Sequence, residues 1–336
     1  MNRPRIVIAG AGAVGAYIGG LLAAAGRDAV LLGRPWLADE VSRHGLTLTD
    51  VAGHTIAARP ETATDPAILA GADLILVCVK SGATADMARL IADNTPRSAP
   101  NSAPVISLQN GVRNADLLRR SLPGRDIRGG MVGFNVVALG DGHFHRSTSG
   151  ELMIQDGPGD LARLLSTPTL PVTATADIAA VQWGKLLLNL TNAVNALSGL
   201  PLRDMLLTRG WRRVMAAQMA EALAVLKAAR TPFKVPAAAP ARAIPLILRL
   251  PTGLFRRIAA PMLTVDPAAR TSMVADLAAR RPTEIDEFQG EILRLAAAHG
   301  LPAPVNARVF ALIRAAEADG LRPLTPSQVL APGAPP

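Results

Sequence analysis

The chain is poor in cysteine, in aromatic residues and in long apolar runs, and each shortage closes off a class of protein. Cys78 is the single cysteine, so no intramolecular disulfide can form, which fits a reducing compartment. In the run Leu74-Ile75-Leu76-Val77-Cys78-Val79 it reads as a buried strand residue. Three Trp, one Tyr and six Phe leave few platforms for stacking bases. The net charge of +9 (35 Lys+Arg minus 26 Asp+Glu) is spread along the chain with no reader motif, so no nucleic-acid partner is expected. The most apolar stretch outside the strands, Ile244–Leu250, contains Pro245 and Arg249 and is followed by Pro251. A membrane span needs about 20 apolar residues, so no membrane partner is expected either. The N-terminus enters a strand after a few residues, which reads as a chain without a leader. The expectation is a soluble cytoplasmic protein.

What is present starts at residue 6. Ile6-Val7-Ile8-Ala9 feeds the turn Gly10-Ala11-Gly12-Ala13-Val14-Gly15, and an alanine-rich helical segment follows. A strand, a glycine turn and a helix in that order bring backbone N–H groups and a helix N-terminus to a diphosphate. Gly10 suits the tight turn, Gly12 admits the pyrophosphate, and Gly15 lets helix and strand pack closely. The second strand ends in Leu31-Leu32-Gly33-Arg34, where an NAD site usually carries an acid for the ribose 2′-hydroxyl. A guanidinium there suits a 2′-phosphate, so the expected cofactor is NADP(H); the plainer alternative is a solvated surface arginine.

At 336 residues with 49% hydrophobic content, two domains are the default. Strand-like runs at Arg5–Ala9, Ala29–Gly33, Leu74–Val79 and Val105–Gln109 alternate with helical ones at Gly12–Ala25 and Ala83–Asp93, predicting a parallel sheet. Leu46–Thr49 and Thr55–Ala58 read as a hairpin insertion. Gly129–Ala138, Gly142–Arg146 and Glu151–Ile154 read as antiparallel strands extending the sheet, and Ser166–Asp177 as a last strand and the joint. Helices are expected at Ile178–Ser198, Trp211–Arg230, Pro267–Ala279 and Thr283–His299, with a Pro-rich segment at Thr231–Pro267 and a frayed tail after Gly320. The predicted class is α/β: a Rossmann-type dinucleotide domain over 1–176, then an all-α substrate and catalytic domain over 177–330. The active site is expected in the cleft between them, at the carboxyl ends of the strands.

Lys185, Asn189 and Asn192 share one face of the Ile178–Ser198 helix, at i, i+4 and i+7. That face is either a wetted stripe or the polar wall of a cleft where a cation and two amides meet a small polar substrate. A desolvated lysine can donate a proton near neutrality. Ser272 and Asp276 are likewise i, i+4. Glu284 would lie about 18 Å beyond Ser272 in an unbroken helix. Arg280-Arg281-Pro282 interrupts that helix, however, and Thr283-Glu284-Ile285-Asp286 reads as a capping box restarting one. Glu284 is then either an exposed first-turn carboxylate or a group returned toward Ser272. His143 and His145 read as a surface feature with no metal role, Gln289 and Gly290 as packing residues, and Asp73 as a turn residue.

Five motifs carry a resemblance when taken in order: the Gly10–Gly15 turn, Val77-Cys78-Val79-Lys80, Leu108-Gln109-Asn110-Gly111, Lys185-x3-Asn189 and Ser272-Met273-x2-Asp276-x7-Glu284. Together they resemble the ketopantoate reductase (2-dehydropantoate 2-reductase) family, within the 6-phosphogluconate-dehydrogenase-like superfamily. The resemblance implies NADPH-dependent reduction of the C2 ketone of ketopantoate to (R)-pantoate, on the route to coenzyme A. It also implies Lys185 as general acid, and Glu284 orienting substrate hydroxyls or the cofactor ribose. Asn110, Asn189, Asn192, Ser272 and Asp276 would hold substrate. Lys80, Asn110, Arg34 and the backbone of Ala138 would serve the cofactor beside the glycine turn. Family members often carry an Asn where this chain has Ala193, flanked here by Asn192 and Asn195. Ala269 stands at a position polar in some members, and Thr231–Pro267 is longer than compact members need. Another 2-oxo or 3-hydroxy acid is therefore the alternative substrate, and a catalytically silent NADP(H)-binding regulator is the alternative class. The partner expected is a small 2-oxo acid, and the pattern leaves a homodimer open.

Overall fold

In the computed structural model, residues 3–95, 102–235, 240–263 and 271–331 are described. The chain divides into two compact units, residues 1–178 and 179–336. Among the described residues of the first lie twelve strands: β1 Arg5–Ala9, β2 Asp28–Leu32, β3 Leu46–Asp50, β4 Thr55–Ala58, β5 Glu61–Ala63, β6 Leu74–Val77, β7 Val105–Ser107, β8 Ile127–Val132, β9 Val136–Gly140, β10 His143–Arg146, β11 Leu152–Gln155 and β12 Val172–Thr175. Its helices are α1 Ala13–Ala24, α2 Pro35–His44, α3 Thr84–Asn94, α4 Asn114–Ser121 and α5 Leu161–Leu165.

The main sheet runs β12-β11-β8-β7-β6-β1-β2-β5. From β8 to β5 every pairing is parallel; β11 runs antiparallel to β8 and parallel to β12. Both faces are covered, so the central strands are apolar throughout rather than alternating. Ile6, Ile8, Leu31 and Leu76 join the core on the α1 side, whereas Val7, Val30, Ile75 and Val77 face Met87, Ile91 and Leu118 of α3 and α4. Strand period two sends successive residues to opposite faces.

A second sheet, β4-β3-β10-β9, covers the other side of α1. That helix is buried on two sides, which requires small residues. A Cβ at Gly19 would lie 2.3 Å from Leu31 in the main sheet, and one at Gly20 would lie 2.9 Å from Leu46 and Leu48 in the second. The hairpin expected at 46–58 is β3–β4. The run expected as one strand over Gly129–Ala138 instead divides between the two sheets. The chain turns at Gly133, whose N–H donates to the Glu151 carbonyl at 2.8 Å, and buries Phe134 edge-on to Tyr17 under the Arg146 guanidinium. Thus β8 and β11 extend the main sheet, whereas β9 and β10 build the smaller one. The strand expected through Val79 ends at Val77. Cys78 lies just past it and is half-buried, and burial pushes its thiol up to about 12. His143 and His145 both hydrogen-bond the Thr49 hydroxyl, and Asp73 accepts from the Arg5 N–H.

The second unit is helical: α6 Ile178–Ser198, α7 Leu202–Leu207, α8 Arg209–Ala228, α9 Ile244–Arg249, α10 Thr252–Ile258, α11 Ser272–Ala278, α12 Gln289–Ala298, α13 Pro304–Asp319 and α14 Pro326–Leu330. Three expectations are corrected here. The helix expected over Thr283–His299 is a 3-10 turn, Ile285–Glu287, followed by α12, because Phe288 leaves helical geometry (φ −111, ψ −90) to bury its ring. The capping box expected at Thr283 does not form; its hydroxyl accepts from the Ile285 N–H at 3.3 Å, and its own N–H donates to Glu317. The tail after Gly320 is not frayed throughout: Thr325 and Gln328 make a capping box that starts α14, and Val329 is buried. Of the helix expected over Pro267–Ala279, α11 is the described part; residues 264–270, Ala269 among them, lie outside the described residues, as do residues 236–239.

Two contacts hold the start of the Pro-rich segment to the helical core. Residues 231–235 cross α6, where the Lys234 N–H donates to the Ala180 carbonyl at 2.8 Å. A Cβ at Gly184 would lie 1.8 Å from the Lys234 carbonyl oxygen, so a side chain there would displace the crossing. Further on, Arg212 of α8 is fully buried. Its guanidinium donates to the carbonyls of Leu206, Leu248 and Leu250 at 2.8–3.1 Å, and stacks 4.3 Å over Phe255. One cation thus serves the carbonyl ends of α7 and α9, where helix dipoles favour positive charge. Arg212→Met should lower the unfolding free energy by about 3 kcal/mol, because three buried carbonyls lose charge-assisted partners. Chemical denaturation checks this, and an unchanged midpoint would contradict it.

Candidate active site

In the first unit, the expected cofactor residues other than Ala138 lie at the carboxyl ends of the parallel strands. Gly10 follows β1 with φ +97, a conformation that L side chains rarely adopt, and a Cβ there would lie 2.3 Å from Val79. Its N–H and that of Ala11 both donate to the Leu32 carbonyl at 3.0 Å. This ties the turn after β1 to the end of β2. A Cβ at Gly12 would meet nothing within 4 Å, so the backbone there borders open space. Gly12 gives α1 no side-chain cap, and the first turn of α1 holds no acid. Ala13, Val14 and Gly15 come before the first intrahelical bond, Ala16 N–H to Gly12 carbonyl at 2.8 Å, so their N–H groups lie in the turn where helices accept anions. This cradle fits a diphosphate.

Arg34 is exposed at the N-cap position of α2, immediately past the end of β2. Lys80 is exposed past β6, and Asn110 is half-buried past β7. Ala138 stands elsewhere, exposed on β9 at the edge of the smaller sheet and paired with Phe144.

Sequence reasoning missed the network that holds Lys80 and Asn110 in place. The Ser81 hydroxyl donates to the Asn110 carbonyl at 2.8 Å, and Asn114 Nδ2 donates to the same carbonyl at 2.6 Å. Thr84 donates to Asn114 Oδ1 at 2.8 Å, and Gln109 Nε2 donates to Thr84 at 2.6 Å. All four side chains are buried, so the two strand-end loops form one rigid polar knot. The available signal was a cluster of hydroxyls and amides directly after two apolar strands.

In the second unit, α6 carries Lys185, Asn189 and Asn192, all half-buried. The helix is anchored at Leu190, whose carbonyl accepts from Gln218 Nε2 at 2.9 Å and from Gln289 Nε2 at 3.0 Å. Gln289 opens α12, so this bond also draws the preceding turn, with Glu284, to α6. Thr271, directly before Ser272, bonds to α6 at Asn192 and Asn195. Burial pushes the Lys185 ammonium down to about 8, and the Glu284 carboxylate pulls it partly back. The lysine and the glutamate therefore sense each other despite lying about a hundred residues apart in the chain. The helical break expected after α11 is present: Arg280 adopts φ +49 and the Arg281 N–H donates to the Asp276 carbonyl at 2.8 Å. Ser272 is exposed at the start of α11. Asp276, expected among the substrate ligands, is buried and paired with Arg281 at 3.2 Å, an arrangement that holds this turn.

Among the described residues no group of three or more His, Cys, Asp or Glu side chains could hold a metal ion, and no helix is long and apolar enough to cross a membrane. The first unit offers a backbone anion cradle, two exposed cations, Arg34 and Lys80, and the half-buried amide of Asn110. The other unit offers a depressed ammonium beside a carboxylate and two amides. Such groups suit binding an anionic dinucleotide and protonating a developing oxyanion.

Comparisons with known proteins identify the family. The family model for ketopantoate reductase PanE/ApbA matches residues 6–159, and that for its C-terminal domain matches residues 177–317. The chain is 29% identical over 330 residues to a 2-dehydropantoate 2-reductase from Halobacterium salinarum, covering 94% of this chain and all of that one. A PanE/ApbA family ketopantoate reductase from Ralstonia eutropha superimposes with a TM-score of 0.79 at 33% identity, covering 94% of this chain and 99% of that one. A D-mandelate dehydrogenase solved with NADH and anilino(oxo)acetate shares the fold, with a TM-score of 0.74 at 22% identity. With both halves matched in order, the chain belongs to the ketopantoate reductase PanE/ApbA family and is a dinucleotide-dependent oxidoreductase of that kind.

Proposed function

We propose that the protein reduces the C2 ketone of ketopantoate to (R)-pantoate with NADPH, and so serves coenzyme A synthesis. The observation that carries the reading is Lys185: a half-buried ammonium pushed down to about 8 and coupled to the Glu284 carboxylate. Relatives named 2-dehydropantoate 2-reductase supply the choice of substrate. The dinucleotide would sit with its diphosphate over Gly10–Gly15, its adenosine phosphate toward Arg34, and its nicotinamide end toward Lys80 and Asn110. Bound there, NADPH supplies the hydride.

The chain's own residues do the rest. As hydride reaches C2, negative charge grows on the carbonyl oxygen, and Lys185 Nζ donates the proton that converts it to the alcohol. A lysine near 8 is still mostly protonated at neutral pH yet gives up its proton far more readily than one near 10.5. Glu284 keeps the ammonium charged and orients it or the substrate hydroxyl. Asn189, Asn192, Asn110 and Ser272 supply hydrogen bonds to carboxylate and hydroxyl groups of the substrate. Asp276, through Arg281, holds the turn that leads to Glu284.

Lys185→Ala should cut kcat by about a hundredfold to ten-thousandfold while leaving NADPH affinity near normal; an unchanged rate would remove Lys185 from the mechanism. Because the acid must be protonated, kcat/KM for ketone reduction should fall as pH rises through about 8; a profile flat to pH values well above that would contradict the assignment. Arg34→Asp should shift preference from NADPH toward NADH by about a hundredfold, since a carboxylate repels the 2′-phosphate. An unaltered cofactor ratio would discredit the phosphate assignment.

A further inference from the structure

Asn195 lies on α6 one turn beyond Asn192 and is completely buried. Its carboxamide is engaged at both ends. Nδ2 donates to the Leu200 carbonyl at 2.9 Å, where the chain leaves α6. Oδ1 accepts from the Thr271 N–H at 3.2 Å and lies 3.3 Å from the Thr271 hydroxyl. The same hydroxyl lies 3.3 Å from the Asn192 carbonyl, so its single proton has two acceptors on α6 and no role in capping its own helix.

Thr271 is the N-cap residue of α11, and Ser272 is the next residue. In the seven-residue α11, Met273, Val274, Leu277 and Asp276 are buried, and the Asp276 carboxylate pairs with Arg281 beyond the end of the helix, away from Ser272. Apolar burial is non-directional and lets a short helix rotate or slide; an amide bonded to a backbone N–H fixes both motions. Fixing Thr271 fixes the Ser272 Cα, one peptide unit away.

We propose that Asn195 and Thr271 form a positioning pair that sets the Ser272 hydroxyl relative to Lys185 and Asn189, and thereby sets substrate affinity. This rests on the reading of Ser272 as a substrate ligand. The pair touches no substrate itself; it acts through the start of α11.

Thr271→Val is nearly isosteric, removes the hydroxyl and keeps the N–H, and Thr271→Ser restores the hydroxyl. Thr271→Val should raise KM for ketopantoate about threefold to tenfold, the worth of one hydrogen bond. It should leave kcat within about twofold and NADPH affinity unchanged, and Thr271→Ser should return KM to normal. Amide exchange over residues 271–278 should quicken in Thr271→Val and Asn195→Ser and recover in Thr271→Ser. Unchanged KM and unchanged exchange in both weakened variants would overturn the proposal. Ser272→Ala separates the two layers. If it leaves KM unaltered, Ser272 is no substrate ligand and the affinity claim falls with it. If it raises KM while Thr271→Val and Asn195→Ser do not, the pair alone is refuted. Should the wild-type enzyme leave ketopantoate untouched, exchange over 271–278 still decides whether the pair holds α11.

Discussion

The structure turns on a poorly solvated ammonium held near a carboxylate from a distant part of the chain. Burial alone would favour neutral Lys185, and the Glu284 charge opposes that drift, leaving the group near 8. The balance demands rigidity, since a lysine free to reach water would return to its ordinary value. Much of the helical unit can be understood as meeting that demand. Gln218 and Gln289 grip the middle of α6 through the Leu190 carbonyl, Asn195 grips its far end, and the 231–235 crossing lies against Gly184, the residue before the lysine.

The first unit answers a different requirement, the close approach of backbone to an anion. The turn after β1 carries no side chain at Gly12, where open space begins, and none at Gly10, where Val79 leaves no room. A helix squeezed between two sheets supplies the N-terminus. Its small residues at Gly19 and Gly20 are as much a part of the anion cradle as the turn, because they set how closely α1 approaches the strands. The neighbouring loops are then locked by the Ser81–Asn114–Thr84–Gln109 network rather than by apolar packing.

Local and periodic signals were legible in the sequence: β1 with its glycine turn, the hairpin at 46–58, the face of α6 that carries Lys185, and the break after Asp276. Features decided by tertiary packing were not. The division of 129–138 between two sheets depends on where Phe134 is buried, and the break at Phe288 depends on a core ring overriding helical periodicity. The Thr325 capping box lay in a Pro-rich tail whose composition suggested fraying, and it folds because Val329 finds a buried place. Arg212 could not be singled out by pattern, since nothing in a helical run tells a solvated arginine from one that caps two other helices. Asp276 shows what motif spacing does not carry: its carboxylate is buried and paired with Arg281.

The account stands or falls on the protonation state of one side chain. Selective isotope labelling of lysine, with the Lys185 resonance assigned by its loss in Lys185→Ala, allows its titration to be followed by NMR. The account predicts a midpoint near 8, moving lower in Glu284→Gln because the carboxylate's support for the charge is removed. A midpoint at the ordinary lysine value of about 10.4 that does not respond to Glu284→Gln would contradict it.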